Sequence, residues 1–212
     1  MAIISKTAIL TPAAVDLTAS EYKDESSPFT NAIGKSSDNT GSYAEWGLVT
    51  GAQANTRVYW SFDISSIPSN ATITNVTCSA RCSNTNANIM QGGNTLIALG
   101  TITNGTEWAN KVASENASFG KTATVVTVSN ATFTREELNY LRLKIQAVRG
   151  FLNTGASYHT KFYGATLTID YTVPEENPTT RNIYIGNTKI SNIYLGNSKI
   201  IKVYLGDTLL FE

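Results

Sequence analysis

The last thirty residues repeat with a period of ten. Asn182 to Ser191 reads NIYIGNTKIS, Asn192 to Ile201 reads NIYLGNSKII, and Lys202 to Phe211 reads KVYLGDTLLF. Tyr recurs at 184, 194 and 204, and Gly at 186, 196 and 206, each Gly followed by Asn or Asp. A unit this short holds two strand segments and one tight turn. Gly-Asn and Gly-Asp suit the two-residue II′ turn, whose first position needs a positive φ. The pattern predicts a small β-meander of four strands turning at 186–187, 196–197 and 206–207, with Tyr184 opposite Lys189 and Ile185 opposite Thr188.

Continuous strands would place Tyr184, Ile193, Leu195, Ile200, Tyr204, Leu209 and Phe211 on one face. Ile183, Ile185, Ile190, Tyr194, Ile201, Val203, Leu205 and Leu210 would share the other. Both faces are then apolar, which a lone meander in water does not tolerate. The tail is therefore expected to be covered by further copies of the chain in a homo-oligomer, by a partner, or by the preceding domain. Its assembly and anchoring residues are read as Tyr184, Gly186, Ile193, Tyr194, Leu195, Gly196, Tyr204, Leu205, Gly206 and Phe211.

Upstream, the dominant period is two. In RVYWSFDI, Val58, Trp60, Phe62 and Ile64 alternate with Tyr59, Ser61 and Asp63. Val76, Cys78, Ala80 and Cys82 alternate with Thr77, Ser79 and Arg81. Asn94 to Gly100, Lys121 to Ser129, Leu141 to Ala147 and Phe162 to Thr172 add strands, and the first 20 residues add one or two more, broken at Pro12. Thr134-Arg-Glu-Glu137 is a capping box and marks one short helix, with Thr134 as N-cap. About eight short strands with polar outer faces predict an all-β fold, an antiparallel two-sheet jelly-roll sandwich. Domain boundaries follow: a sandwich over 1–173, a linker over 174–181 carrying two prolines and Glu175–Glu176, and the hairpin-repeat tail over 182–212.

Composition narrows the function. Lys+Arg and Asp+Glu are 16 each, so net charge is zero, and nothing marks a nucleic-acid or membrane-surface binder. A single His, His159, leaves little material for a His-ligated metal or a His-based triad. No nucleophile elbow, P-loop, zinc-protease or dinucleotide motif occurs, and no cofactor is expected. Cys78 and Cys82 sit four apart on one strand face, about 13 Å, and read as two reduced, half-buried thiols. The N-terminus lacks the apolar run of a signal peptide, and no segment approaches 18 apolar residues, so the chain is expected to be made in the cytoplasm without a membrane span. The surface must be built from 20 Asn, 29 Thr and 19 Ser. Two tryptophans, Trp46 in SYAEWG and Trp108 in NGTEWAN, fall in loop-like stretches and are the candidate saccharide platforms.

The stretch from Asn55 to Cys82, then TFTREELNYLRLKIQAVRG and FYGATLTIDYT, resembles a jelly-roll module in virion proteins of tailed phages and prophages of Gram-positive bacteria. The IYLGNSKI element resembles the "vylG" repeats at the C-termini of phage structural proteins. The resemblance implies a non-enzymatic protein on the outside of the virion, as capsid or neck decoration or fibre, with glycan binding through the jelly roll. Its partners would be other capsid, neck or tail proteins and a cell-surface glycan. It also leaves open a tail or baseplate receptor-binding protein, or a carbohydrate-binding module of a bacterial surface protein.

Overall fold

The computed structural model describes residues 3–47, 55–84, 94–114, 122–148 and 159–175, together with 183–185, 188–190, 193–195, 198–200, 203–205 and 208–211 of the repeat. The chain divides into two compact units, Ser5–Val173 and Pro174–Glu212, with Met1–Ile4 grouped with the second.

The first unit is a sandwich of two sheets paired antiparallel. Strands β4 (Ala44–Gly47), β6 (Thr72–Asn84), β9 (Thr124–Ala131) and β11 (His159–Pro174) lie in the order β4-β11-β6-β9. Strands β5 (Asn55–Phe62), β7 (Asn94–Thr103), β8 (Glu107–Ala113) and β10 (Leu141–Val148) lie in the order β5-β10-β7-β8. From β4 to β11 the chain crosses from one sheet to the other at each step except the β7–β8 hairpin. This is the jelly-roll order. The edges are extended by β3 (Lys23–Ser27) on β4 and β2 (Pro12–Glu21) on β5, and β1 (Ile3–Leu10) pairs with the long interior strand β11 off that path.

Alternation places the core. Trp60, Leu143, Ile145, Ile97 and Leu99 face inward from one sheet; Val76, Cys78, Ala80, Cys82, Leu167 and Ile169 face inward from the other. Trp60 packs on Phe162 at 4.7 Å between ring centroids and on Phe29 at 5.9 Å. Both cysteines are free and fully buried, not half-buried, because β6 is covered by its neighbours in the sheet and by the opposite sheet. Burial pushes the Cys78 thiol up to about 12 and Cys82 higher still. Neither thiol is expected to react with a thiol-labelling reagent at pH 8 until the protein is unfolded. Rapid labelling of the native protein would contradict that.

Strand β11 carries a bulge that a strict period of two does not anticipate. Phe162 lies opposite Cys82 and Gly164 opposite Arg81, leaving Tyr163 as the extra residue. The bulge resets the alternation, so Phe162 and Ala165 both point inward although they are three positions apart. Gly164 takes φ +148, and a Cβ there would meet Lys35 O at 2.5 Å and Ser36 O at 2.6 Å. The 35–37 loop is fastened at this crossing: Ala165 N–H donates to Lys35 O (3.0 Å), and Ser37 N–H donates to Thr166 Oγ1 (3.1 Å).

The capping box forms. Glu137 N–H donates to Thr134 Oγ1 (3.1 Å), and Thr134 N–H donates to Glu137 Oε2 (2.8 Å). It opens only a 3-10 turn, Glu137–Tyr140, because β10 starts at Leu141. A second 3-10 turn, Phe29–Ala32, has no sequence counterpart above and delivers Phe29 and Ala32 to the core.

In the second unit the expected meander is replaced, among the described residues, by separate two-stranded hairpins: β12 (Ile183–Ile185) with β13 (Thr188–Ile190), β14 (Ile193–Leu195) with β15 (Ser198–Ile200), and β16 (Val203–Leu205) with β17 (Thr208–Phe211). Tyr184 pairs with Lys189 and Ile185 with Thr188, and the second hairpin repeats this register. The register sets Ile183 opposite Ile190 in the first hairpin; the side chains on which the two-face reading rests lie outside what the structure describes. Tyr194, Ile193 and Leu195 repeat those positions, as do Tyr204 and Leu205, with Phe211 opposite Val203. Gly186, Gly196 and Gly206 lie outside the described residues, as does the linker from residue 176.

Candidate functional site

The candidate site lies on the outer face of the β5-β10-β7-β8 sheet. Period two sends Arg57, Tyr59 and Ser61 outward from β5, Arg142, Lys144 and Gln146 from β10, and Ala98, Gly100 and Ile102 from β7. The register sets Lys144 between Tyr59 and Ala98, Arg142 beside Gly100, and Trp108 beside Ile102. Trp108 is half-buried on β8, not in a loop. Its ring lies over Gly100, where a Cβ would come within 2.7 Å of the indole and collide with Ala109 O. Gly100 thus lets the indole lie down on the sheet.

Tyr59 flanks the indole at 5.2 Å between centroids, and the Lys144 ammonium lies 4.7 Å from the ring centre. Tyr59 is only 2% exposed despite its outward position. Ala19, Ile102 and Trp108 close over it as a second small apolar cluster, outside the main core. The Asp16–Ser20 segment of β2 is tied there: Ser20 Oγ donates to Asp16 O (2.6 Å) and accepts from Tyr59 N–H (3.2 Å). Burial raises the Tyr59 phenol above its ordinary value. Burial, then the neighbouring Arg57 charge, holds the Lys144 ammonium below the usual lysine value. Two ion pairs border the face, Arg142 Nε with Asp16 Oδ2 at 3.1 Å and Arg57 Nη2 with Glu21 Oε1 at 2.9 Å. A half-buried indole, supported by the buried Tyr59 ring and with an ammonium beside it, offers a stacking surface with a charged group next to it.

Trp46 is not part of any such surface. It lies on β4, paired between Glu25 and Thr160, and is 0% exposed. Ala44 and Trp46 point inward with Glu45 between them, and Phe29 packs on the indole at 5.8 Å. A ring covered on both sides has no face for a sugar, so the platform reading of Trp46 is corrected to a core role. Tyr59 and Lys144 were absent from the candidates. Their outward positions were readable, but their adjacency depends on β5 and β10 being sheet neighbours.

The opposite sheet carries a polar cluster at its β3–β4–β11 end. His159 Nδ1 lies 2.9 Å from Ser26 Oγ and 3.3 Å from Glu45 Oε1. Both partners share one ring nitrogen, whereas a nucleophile–base relay needs the hydroxyl and the carboxylate on different nitrogens. Lys161 Nζ donates to Tyr43 Oη (3.1 Å) and lies 3.7 Å from Glu45 Oε2. A cleft of about 420 Å³ is lined by Ser69, Arg135, Glu136 and Asn139, but its guanidinium is already engaged, with Arg135 Nη2 donating to Ile67 O (2.8 Å) and Nε to Pro68 O (3.0 Å). Among the described residues no three His, Cys, Asp or Glu side chains gather as a metal site. No helix among them is long and apolar enough to cross a membrane.

No protein-family model and no curated protein matches the chain. Among solved structures it is similar to a Stig cyclase, Fisc, from Fischerella sp. TAU, at 13% identity over 78% of this chain and 75% of that one, TM-score 0.40. It is similar to a CBM4 carbohydrate-binding module at 13% identity over 65% of this chain and 89% of that one, TM-score 0.37. It is also similar to CBM27-1 of Caldicellulosiruptor saccharolyticus, solved in complex with mannohexaose, at 11% identity over 81% and 98%, TM-score 0.32.

Proposed function

We propose that the chain is a non-enzymatic structural protein on the outside of a tailed-phage virion, a capsid or neck decoration or a fibre. In this reading the sandwich presents a saccharide-binding face at Trp108, backed by the buried Tyr59 ring, and the C-terminal hairpins join it to other virion proteins or to further copies of the chain. The observation that carries the reading is the period-ten tail. Each hairpin has at most three or four residues per strand, and a hairpin of that size is not stable in water without a partner. Serial hairpins of matching register are what a joint needs and what a catalytic domain does not. The chain would be assembled in the host cytoplasm and carried in the particle.

Gold-labelled antibody against this chain, viewed on the particle by electron microscopy, tests the placement. Label on the capsid or neck is expected, and an unlabelled particle would sink the proposal. The Trp108 face favours a second reading, a tail or baseplate receptor-binding protein recognising host cell-wall polysaccharide, for which label would sit at the tail tip. Either way, Trp108→Ala is expected to abolish retention of the protein on immobilised host cell-wall glycan. Retention equal to wild type would remove Trp108 from the site.

A further inference from the structure

We infer that the Trp108 face takes a saccharide bearing a negative charge, received by the Lys144 ammonium; this rests on the saccharide reading of that face. Lys144 is 8% exposed, and among the described residues it has neither a carboxylate nor a hydrogen-bond acceptor. The nearby acids are already taken, Asp16 by Arg142 and Glu21 by Arg57. What remains at Lys144 is the Trp108 ring, 4.7 Å from the ammonium, with Arg57 adding repulsion. Covering most of the Lys144 side chain removes part of the ammonium's hydration, and no counter-ion among the described residues offsets that cost. A cation–π contact offsets only part of that cost.

The chemistry of the partner follows from the surroundings. The five charges named on this face, Arg57, Arg142, Lys144, Asp16 and Glu21, leave one positive charge over. That charge lies beside an aromatic surface on which the apolar face of a sugar ring stacks. A sugar with an attached anion meets both requirements at once. The anion is either the carboxylate of a uronic acid or the phosphodiester of a polyol-phosphate polymer, which present the same charged oxygens to an ammonium. A purely structural Lys144 would only lay its aliphatic stem across the sheet, and a methionine would do that equally well.

The test uses the full-length protein and its Lys144→Met and Lys144→Arg variants, titrated calorimetrically with four polymers: polygalacturonate, its fully methyl-esterified form, poly(glycerol phosphate) and neutral mannan. Wild type is expected to bind polygalacturonate or poly(glycerol phosphate), and which one it binds identifies the anion. Lys144→Met should weaken that binding about ten- to thirtyfold and flatten its salt dependence, while Lys144→Arg retains most of it. The Lys144→Met variant should melt no lower than wild type, so its loss of binding is not unfolding. Equal affinity for the methyl ester or for mannan, or wild-type binding by Lys144→Met, would overturn the anion inference and leave the saccharide reading standing. Binding to none of the four polymers would overturn both.

Discussion

Gly164→Ala is expected to be among the most damaging single substitutions in the sandwich, lowering stability by about 3–5 kcal/mol. The added methyl would be driven into the carbonyl oxygens of Lys35 and Ser36 at 2.5 and 2.6 Å, and those are backbone atoms that cannot rotate away. The φ of +148 adds strain for any residue with a Cβ. Relief requires lifting the 35–37 loop, which gives up the Ala165–Lys35 and Ser37–Thr166 hydrogen bonds and loosens the turn that carries Phe29 and Ala32 inward. At about 2–4 °C per kcal/mol for a domain of this size, calorimetry should show Tm falling by roughly 6–20 °C. A fall of less than about 2 °C would mean that the loop is not clamped on the bulge. Gly34, at φ +71 with open space around its Cβ position, makes a matched control in which only backbone strain is added.

Trp46→Ala carries the second large effect, about 3–5 kcal/mol of lost stability from a cavity in the packed core. The outcome separates two roles that the sequence left open. A platform tryptophan gives up ligand and keeps its melting temperature. A core tryptophan does the opposite, and its burial with Phe29 against it makes Trp46 the latter. Below its lowered Tm, Trp46→Ala should retain saccharide like wild type, while Trp108→Ala should not. Loss of binding by folded Trp46→Ala would reverse the assignment.

The contrast between the two tryptophans shows what local pattern resolves. Long strands announce themselves: eight residues of alternation place Trp60 inward, and Leu141 to Ala147 does the same for Leu143 and Ile145. Strand β4 has four residues, hence only two inward positions, Ala44 and Trp46, and a period cannot be read from two points. The bulge at Tyr163 is illegible for a related reason. It appears in sequence only as a broken alternation, and a broken alternation also reads as a strand end. On the outer face, period two correctly sends Tyr59 and Lys144 away from the core, yet both are buried. What covers Tyr59 comes from β2, β7 and β8, which neighbour it only after folding.

The tail divides in the same way. Turn positions and cross-strand pairs follow from Gly-Asn and Gly-Asp chemistry, and Tyr184 opposite Lys189 agrees with the register observed. Whether successive hairpins fuse into one sheet depends on the residues between them, where no Gly or Pro speaks for either outcome, and the faces of the tail depend on that choice.

The sequence by itself determined the all-β class, the strands long enough to show a period, the capping box at Thr134 and Glu137, and the ten-residue hairpin unit, because each depends on residues within a few positions of one another. The tertiary structure decided which tryptophan is core and which lies on an outer face, where the bulge falls, and that Lys144 sits beside Trp108 with no counter-ion among the described residues. Those are consequences of strand order, and strand order comes from packing two sheets face to face.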